Sequence, residues 1–345
     1  MASGRSRNFF LFCLLGVLLA AFFLLDIWTG SVRIPMGQVF DALTGRGADP
    51  MVETLVRTFR VPKALAALAA GTALAASGLQ MQTLFRNPLA GPYILGVSSG
   101  ASLGVSLFLL GIPVLGLGAG AEWLRNIGLT GAAWIGGAAI LGIIFVVSVR
   151  VRDIMALLIL GMMIGSGATA VVSILQYLSP EGALKSFMVW TMGNLGGVSV
   201  SQLKILLPFT AAGLALSVRL IKPLNLLLLG EAYARTMGQH VRRVRMLIFC
   251  STVLLAGTVT AFCGPIGFVG IAVPHMARML FRDADHRVLM PASILIGGLV
   301  MLVCDVVSQL PGTETVLPVN TVTALVGIPV VVYVILKNRK LTGSW

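Results

Sequence analysis

The 345-residue chain is 57% hydrophobic and only 11% charged, with a mean hydropathy of +0.96, against about 25% charged in an average soluble domain. Those figures exclude an ordinary soluble globular fold and leave an all-α, polytopic membrane protein. The net charge of +13 and isoelectric point near 10.5 would suggest nucleic acid in a soluble chain, but Lys- and Arg-rich cytoplasmic loops give a membrane chain the same excess, so nucleic acid is set aside as a partner.

Counting about 20 apolar residues per crossing predicts ten membrane helices, near 9–28, 62–84, 92–110, 129–149, 154–177, 203–221, 244–263, 266–280, 288–307 and 318–336. The first run is too long for a signal-peptide core, and Ala20-Ala21-Phe22-Phe23-Leu24-Leu25 offers no small-residue cleavage site. With both termini placed in the cytoplasm, 17 basic and 4 acidic residues fall inside and 8 of each fall outside. The whole net charge then lies on one face, as the positive-inside rule requires. Residues 1–345 read as one transmembrane domain with no separate soluble part.

Residues 29–61 form the longest external loop, broken by Pro35, Gly45, Gly47 and Pro50. Arg57, Arg60 and Lys63 cluster where it enters the second helix, against the general charge bias. Two readings stand: interfacial snorkelling of long basic side chains, or a docking site for an acidic partner. The second and third helices are rich in Ala, Gly and Ser, and Gly161 and Gly165 repeat a small-xxx-small spacing in the fifth. Such residues serve close helix packing or line a pathway. Residues 183–196 carry enough apolar side chains for an external or re-entrant helix.

The densest basic stretch, 219–245, holds Arg219, Lys222, Arg235, Arg242, Arg243 and Arg245 with a single acid, Glu231. Within it, Gly230 precedes Glu231-Ala-Tyr-Ala-Arg-Thr-Met and Gly238 follows. That pattern predicts a short helix with an acid in its first turn and a glycine stop, a cytoplasmic docking element. Further on, 266–280 is short and interrupted by Pro274. A faint internal echo links Leu68-Ala-Ala-Gly-Thr72 to Leu254-Leu-Ala-Gly-Thr258, each later followed by Leu-Phe-Arg, at 84–86 and 280–282. The copies begin on opposite sides of the membrane, the arrangement of an inverted repeat.

Ionisable groups at mid-membrane, where ion-coupled carriers place them, are nearly missing: Asp26, Asp153 and Asp305 lie toward helix ends, and His275 after Pro274 is the one histidine near a core. No Gly-x-x-x-x-Gly-Lys-[Ser/Thr] loop, His-Glu-x-x-His or nucleophile elbow occurs. Cys13, Cys250, Cys263 and Cys304 have no paired or metal-type spacing and read as packing residues. What remains is a helical bundle without an engine of its own, with partners on both faces.

The chain resembles the FecCD/BtuC-like permeases, the membrane subunits of type II ABC importers for iron-siderophores, haem and vitamin B12. The match runs through Arg60-Val-Pro-Lys63, Gly71, Gly78, Met81-Gln82, Asn87-Pro88-Leu89-Ala90, Leu95-Gly96 and Gly100-Ala101. It continues with Gly230-Glu231, Ala234 and Gly238, then Gly264-x-Ile-Gly-Phe-x-Gly270, Pro274-His275, Asp285-His286-Arg287, and Leu317-Pro318 to Pro329. The resemblance implies a homodimer in a bacterial inner membrane, two cytoplasmic ATPase subunits that use ATP and Mg, and a periplasmic binding protein. It implies no cofactor, metal or catalytic residue in this chain. Glu231, Ala234, Arg235 and Gly238, in a loop spanning about 222–243, would couple to the ATPase. Arg60 and Lys63 would meet acids of the binding protein, Asp153, Ile154 and Met155 would form a cytoplasmic gate, and Asn87, Pro88, Gly96, Gly100, Pro274 and His275 would be structural. Relatives often carry a further basic residue where this chain has Gln309 near Asp305. Ferric siderophore is the expected cargo, with cobalamin and haem as alternatives; Met162, Met163, Met188 and Met192 either line the pathway for haem or pack. Two other classes stay open: an ion-coupled secondary carrier, and a membrane enzyme or receptor built on His275 and Asp305.

Overall fold

A chain this apolar has to satisfy its backbone polar groups internally, and helices do so segment by segment. The computed structural model describes residues 2–30, 32–45, 49–111, 122–151, 153–310 and 316–342, and among these no strand occurs. Arg46, Gly47, Arg152 and the side chain of Ile154 lie outside the described residues. Seven helical stretches are long and apolar enough to cross a membrane, and three shorter apolar ones, Val97–Gly111, Val269–Phe281 and Val319–Val334, match the remaining expected crossings. The polypeptide is a multi-pass membrane protein.

The crossings are α1 (Ala2–Trp28), α4 (Val61–Phe85), α5 (Val97–Ser106), α6 (Glu122–Arg150), α7 (Ile154–Leu178), α9 (Val200–Arg219), α12 and α13 (Val241–Thr252 and Thr258–Cys263), α14 (Val269–Phe281), α15 (His286–Ser308) and α16 (Val319–Thr342). Short helices fill the connections: α2 (Met36–Thr44), α3 (Pro50–Thr54), α8 (Glu181–Thr191), α10 (Ile221–Leu228) and α11 (Glu231–Thr236). Residues 29–61 are therefore largely helical and not an open loop. Asp49 caps α3 by accepting from the Met51 N–H at 3.0 Å, Pro50 begins it, and a π-helical turn, Leu55–Arg60, joins it to α4. The helix expected within 183–196 is α8, with Phe187 buried.

The chain divides into two compact units. Unit 1 comprises 1–79, 194–208 and 266–345. Here the small residues of α4 allow close helix packing: a Cβ at Gly71 would meet the Gly297 carbonyl of α15, and one at Gly78 the Gly270 carbonyl of α14. The Phe12 and Phe281 rings meet at a 40° tilt, 4.7 Å between centroids. Unit 2 comprises 80–193 and 209–265, where Gly100 of α5 and Gly136 of α6 approach in the same way around a core containing Val105, Ala133, Val172 and Phe187. Of the four cysteines, Cys263 and Cys304 are buried, whereas Cys13 and Cys250 are exposed and pack no core. Both lie on outward faces of single helices, which the apolar run alone does not reveal.

The internal echo has a backbone counterpart. Its two copies fall one in each unit, but 68–72 lies in regular α4 while 254–258 lies mostly in a π-helical turn, Val253–Gly257. The Leu-Phe-Arg segments agree better. Arg86 ends α4 at φ +48° and Arg282 ends α14 at φ +53°, both left-handed. Asn87 Oδ1 then accepts from the Leu89 N–H, and Asp283 Oδ1 from the Asp285 N–H, each at 2.9 Å. The same helix stop and the same side-chain-closed turn thus occur twice.

Candidate functional site

The basic stretch folds as three short pieces. Leu224 and Leu227 bury one face of α10, whose last carbonyls need donors; the Arg86 guanidinium supplies one to Leu227 O at 3.2 Å. Gly230, at φ +120°, turns the chain into α11. Gly238 stops α11 at φ +78°: its N–H bonds Arg235 O at 3.0 Å and the Gln239 N–H bonds Ala234 O at 2.9 Å, the paired reverse bonds of a Schellman stop. Ala234 is the buried residue of this turn. Glu231 Oε1 accepts from Arg245 at 2.8 Å and Oε2 lies 3.4 Å from Arg235, so the lone acid ties α11 to α12. All four proposed coupling residues therefore belong to one rigid turn. On its open side stand Tyr233 and Met237, both exposed and four residues apart on one helical face. That apolar pair was not singled out from the sequence, although the i, i+4 spacing in a charged loop is its signal.

In unit 1, Arg57, Arg60 and Lys63 each have a fixed partner. Arg60, 8% exposed, donates to the carbonyls of Ile27 at 3.1 Å and Trp28 at 2.7 Å, the orphan acceptors at the end of α1, and to Val32 O. Lys63 Nζ sits 2.9 Å from Asp305 Oδ2. Gln309 Nε2 donates to Asp26 Oδ1 at 2.9 Å and to Asp305 Oδ2 at 3.3 Å, bridging the two buried carboxyl groups. Arg57 is paired with Glu53 at 2.8 Å. Arg60 and Lys63 thus lie one turn apart but hold different partners, and Gln309 is the bridge of an acid pair.

At the expected gate, Asp153 caps α7, accepting from the Met155 N–H at 2.9 Å, and Met155 is half-exposed. Asn87 and Pro88 form the turn after α4. Gly96 caps α5 at φ +75°, where a side chain would crowd Gly161 and Gly165 of α7; Gly100 follows one turn later against α6. Pro274 and His275 are buried within α14. Sequence reading missed Gln80, whose Nε2 donates to Ser217 at 2.6 Å and Ser251 at 3.1 Å, clamping three apolar helices. Among the described residues no group of three or more His, Cys, Asp or Glu could hold a metal ion.

Residues 18–337 match the model of the FecCD transport family. The chain belongs to the FecCD transport family. Relatives include the vitamin B12 import system permease proteins BtuC of Citrobacter koseri, 35% identical over 94% of both chains, and of Escherichia coli, 35% identical over 97% of both. BtuC of Salmonella paratyphi A is 36% identical over 94% of this chain and 93% of its own. A solved structure described as an inward-facing metal-chelate type ABC transporter is 30% identical, covers 95% of this chain and 99% of its own, and superposes with a TM-score of 0.81. PsaBC from Streptococcus pneumoniae, at 16% identity and a TM-score of 0.54, shares the fold. This FecCD member is accordingly a permease of the ABC-importer kind and not the subunit that hydrolyses ATP. Its short α11, the Asp153 cap of α7 and its close glycine contacts belong to that bundle.

Proposed function

We propose that this chain is the permease through which an ATP-driven importer moves cobalamin inward across a bacterial inner membrane. The observation that carries this reading is the 35–36% identity, over more than nine-tenths of the chain, to permeases named for vitamin B12 import. Cobalamin replaces ferric siderophore, the expectation from family membership alone. Cobalamin is itself a cobalt chelate, so the likeness to a metal-chelate transporter is compatible with it. The methionines at 162, 163, 188 and 192 are exposed rather than packed in the core, so adaptable thioethers stay available to line a pathway.

A second copy of the chain, two cytoplasmic ATPase subunits and a periplasmic binding protein complete the machine. Glu231, Ala234, Arg235 and Gly238 hold α11 rigid so that Tyr233 and Met237 seat in the ATPase and transmit its closure as a rigid-body movement. Asp153 to Met155 would gate the cytoplasmic end. Outside, Arg60 fixes the end of α1 and Lys63 is held by Asp305, so the two cations would serve binding-protein docking by shaping the surface that meets the partner's acids. An ion-coupled carrier is disfavoured: the buried carboxyl groups, Asp26 and Asp305, lie at helix ends in a bridged cluster with Lys63 and Gln309.

The test is uptake into proteoliposomes by the complex with its ATPase, using binding protein preloaded with cobalamin, ferric siderophore or haem. Cobalamin alone should both stimulate ATP hydrolysis and accumulate. Accumulation of a different cargo would overturn the cargo assignment; uptake driven by an ion gradient and indifferent to ATP would overturn the machinery.

A further inference from the structure

The basic loop of unit 2 borders an open cavity of about 520 Å³ beside the coupling turn. Its wall includes Arg235, Arg242, Arg243, Arg245 and His240, with Ser148 from the end of α6. Glu231 offsets part of this charge through Arg235 and Arg245. Arg242 and Arg243 are exposed and form no ion pair among the described residues. Concave sites lined by one sign of charge concentrate counter-ions, and the guanidinium fork matches phosphate oxygens two at a time.

The position of the cavity selects among anions. Ser148 and Arg245 stand at the ends of α6 and α12, two stretches long and apolar enough to cross a membrane. Exposed Val146 and Leu247 follow within one turn on the same helices. A ligand bearing both a phosphate and acyl chains can engage the arginines and the apolar flank, whereas free phosphate uses only the former. The volume lies in the range of about 300–1,000 Å³ common to ligand pockets, and basic pockets between membrane helices suit anionic headgroups.

We propose that this cavity binds the phosphate-bearing headgroup of an anionic phospholipid. The ligand class is phosphatidylglycerol or cardiolipin. Occupancy would tether α11 and α12 to the membrane surface, whatever cargo the permease carries.

The test is native mass spectrometry of the full-length chain after delipidation and titration with phosphatidylglycerol, cardiolipin or zwitterionic phosphatidylethanolamine, with and without millimolar inorganic phosphate. The wild type should prefer an anionic lipid at least tenfold, and Arg242→Gln/Arg243→Gln should weaken it about thirtyfold, the scale of two basic residues at a lipid surface. The charge-conserving Arg242→Lys/Arg243→Lys variant should retain most of the preference, which separates lost charge from lost folding. Equal binding of the zwitterionic lipid would overturn the proposal, as would displacement by phosphate alone. It would also fail if the glutamine variant kept its lipid at wild-type strength, since the arginines would then serve another surface. None of these readouts depends on transport, so they remain decisive if the cobalamin reading fails.

Discussion

Arg60 and Lys63 resemble Arg242 and Arg243 in sequence: two cations, close together, at the end of an apolar run. Their environments differ. Arg60 is buried against three carbonyls and part-buried Lys63 is paired with buried Asp305, so each has exchanged most of its water for fixed partners. Arg242 and Arg243 stand at an open cavity, exposed and without ion pairs among the described residues. Charges of the first kind hold the fold, because removing one partner strands another in a medium that cannot hydrate it. Those of the second kind contribute little to folding and stay available to bind. The contrast teaches that a count of basic residues locates candidate docking surfaces but does not say which cations are free to dock.

The strongest way to break this comparison is Lys63→Met. The substitution leaves the bridged Asp26 and Asp305 without their cation, and breaking a buried pair on one side costs about 3–5 kcal/mol. The expected outcome is a sharp fall in folded, detergent-extractable protein and in the temperature of thermal inactivation. Adding Asp305→Asn should recover a large part of the loss, because the stranded charge goes with it. If Lys63→Met unfolds at the wild-type temperature, the cluster is not structural and Lys63 is held only loosely by Asp305.

A smaller effect is expected where the two kinds of charge meet. Glu231 is part-exposed and linked to one buried and one exposed arginine. Glu231→Gln keeps an acceptor but loses the charge, at a cost of about 1 kcal/mol on the scale of charged hydrogen bonds exposed to water. Stability should fall slightly while cargo-stimulated ATP hydrolysis falls several-fold and basal hydrolysis changes less. Equal loss of both rates would show that the turn matters for assembly with the ATPase and not for transmission.

The sequence made the crossings legible because each needs a long apolar run with polar ends, and all ten expected positions are helical in the structure. The stop of α11 at Gly238 was legible for a local reason as well, since a left-handed residue is best supplied by glycine. The short helices α2 and α10 were less so: they are amphipathic pieces whose apolar faces need a tertiary partner to become visible. The role of Arg60 was hidden because its carbonyl partners lie 28 to 33 residues earlier, and no local pattern marks a carbonyl as an acceptor. Gln80 was hidden likewise, its hydroxyl partners lying 137 and 171 residues away. Long-range polar pairing is a property of the fold, whereas hydrophobic length and turn chemistry are properties of the segment.

The smallest expected effect sharpens the comparison most. Arg242→Ala/Arg243→Ala removes two positive charges in a row, twice the charge removed by Lys63→Met. By composition it should therefore matter more. By geometry it should matter less, because neither guanidinium is buried and no acid is stranded when both are cut back; exposed substitutions of this kind change stability by within about 0.5 kcal/mol. Thermal inactivation in lipid-free detergent should thus match the wild type, while the retained anionic lipid falls away. A loss of stability comparable to that of Lys63→Met would mean that these arginines are closed on partners after all, and the distinction between charges that fold the chain and charges that serve its surroundings would not hold at this loop.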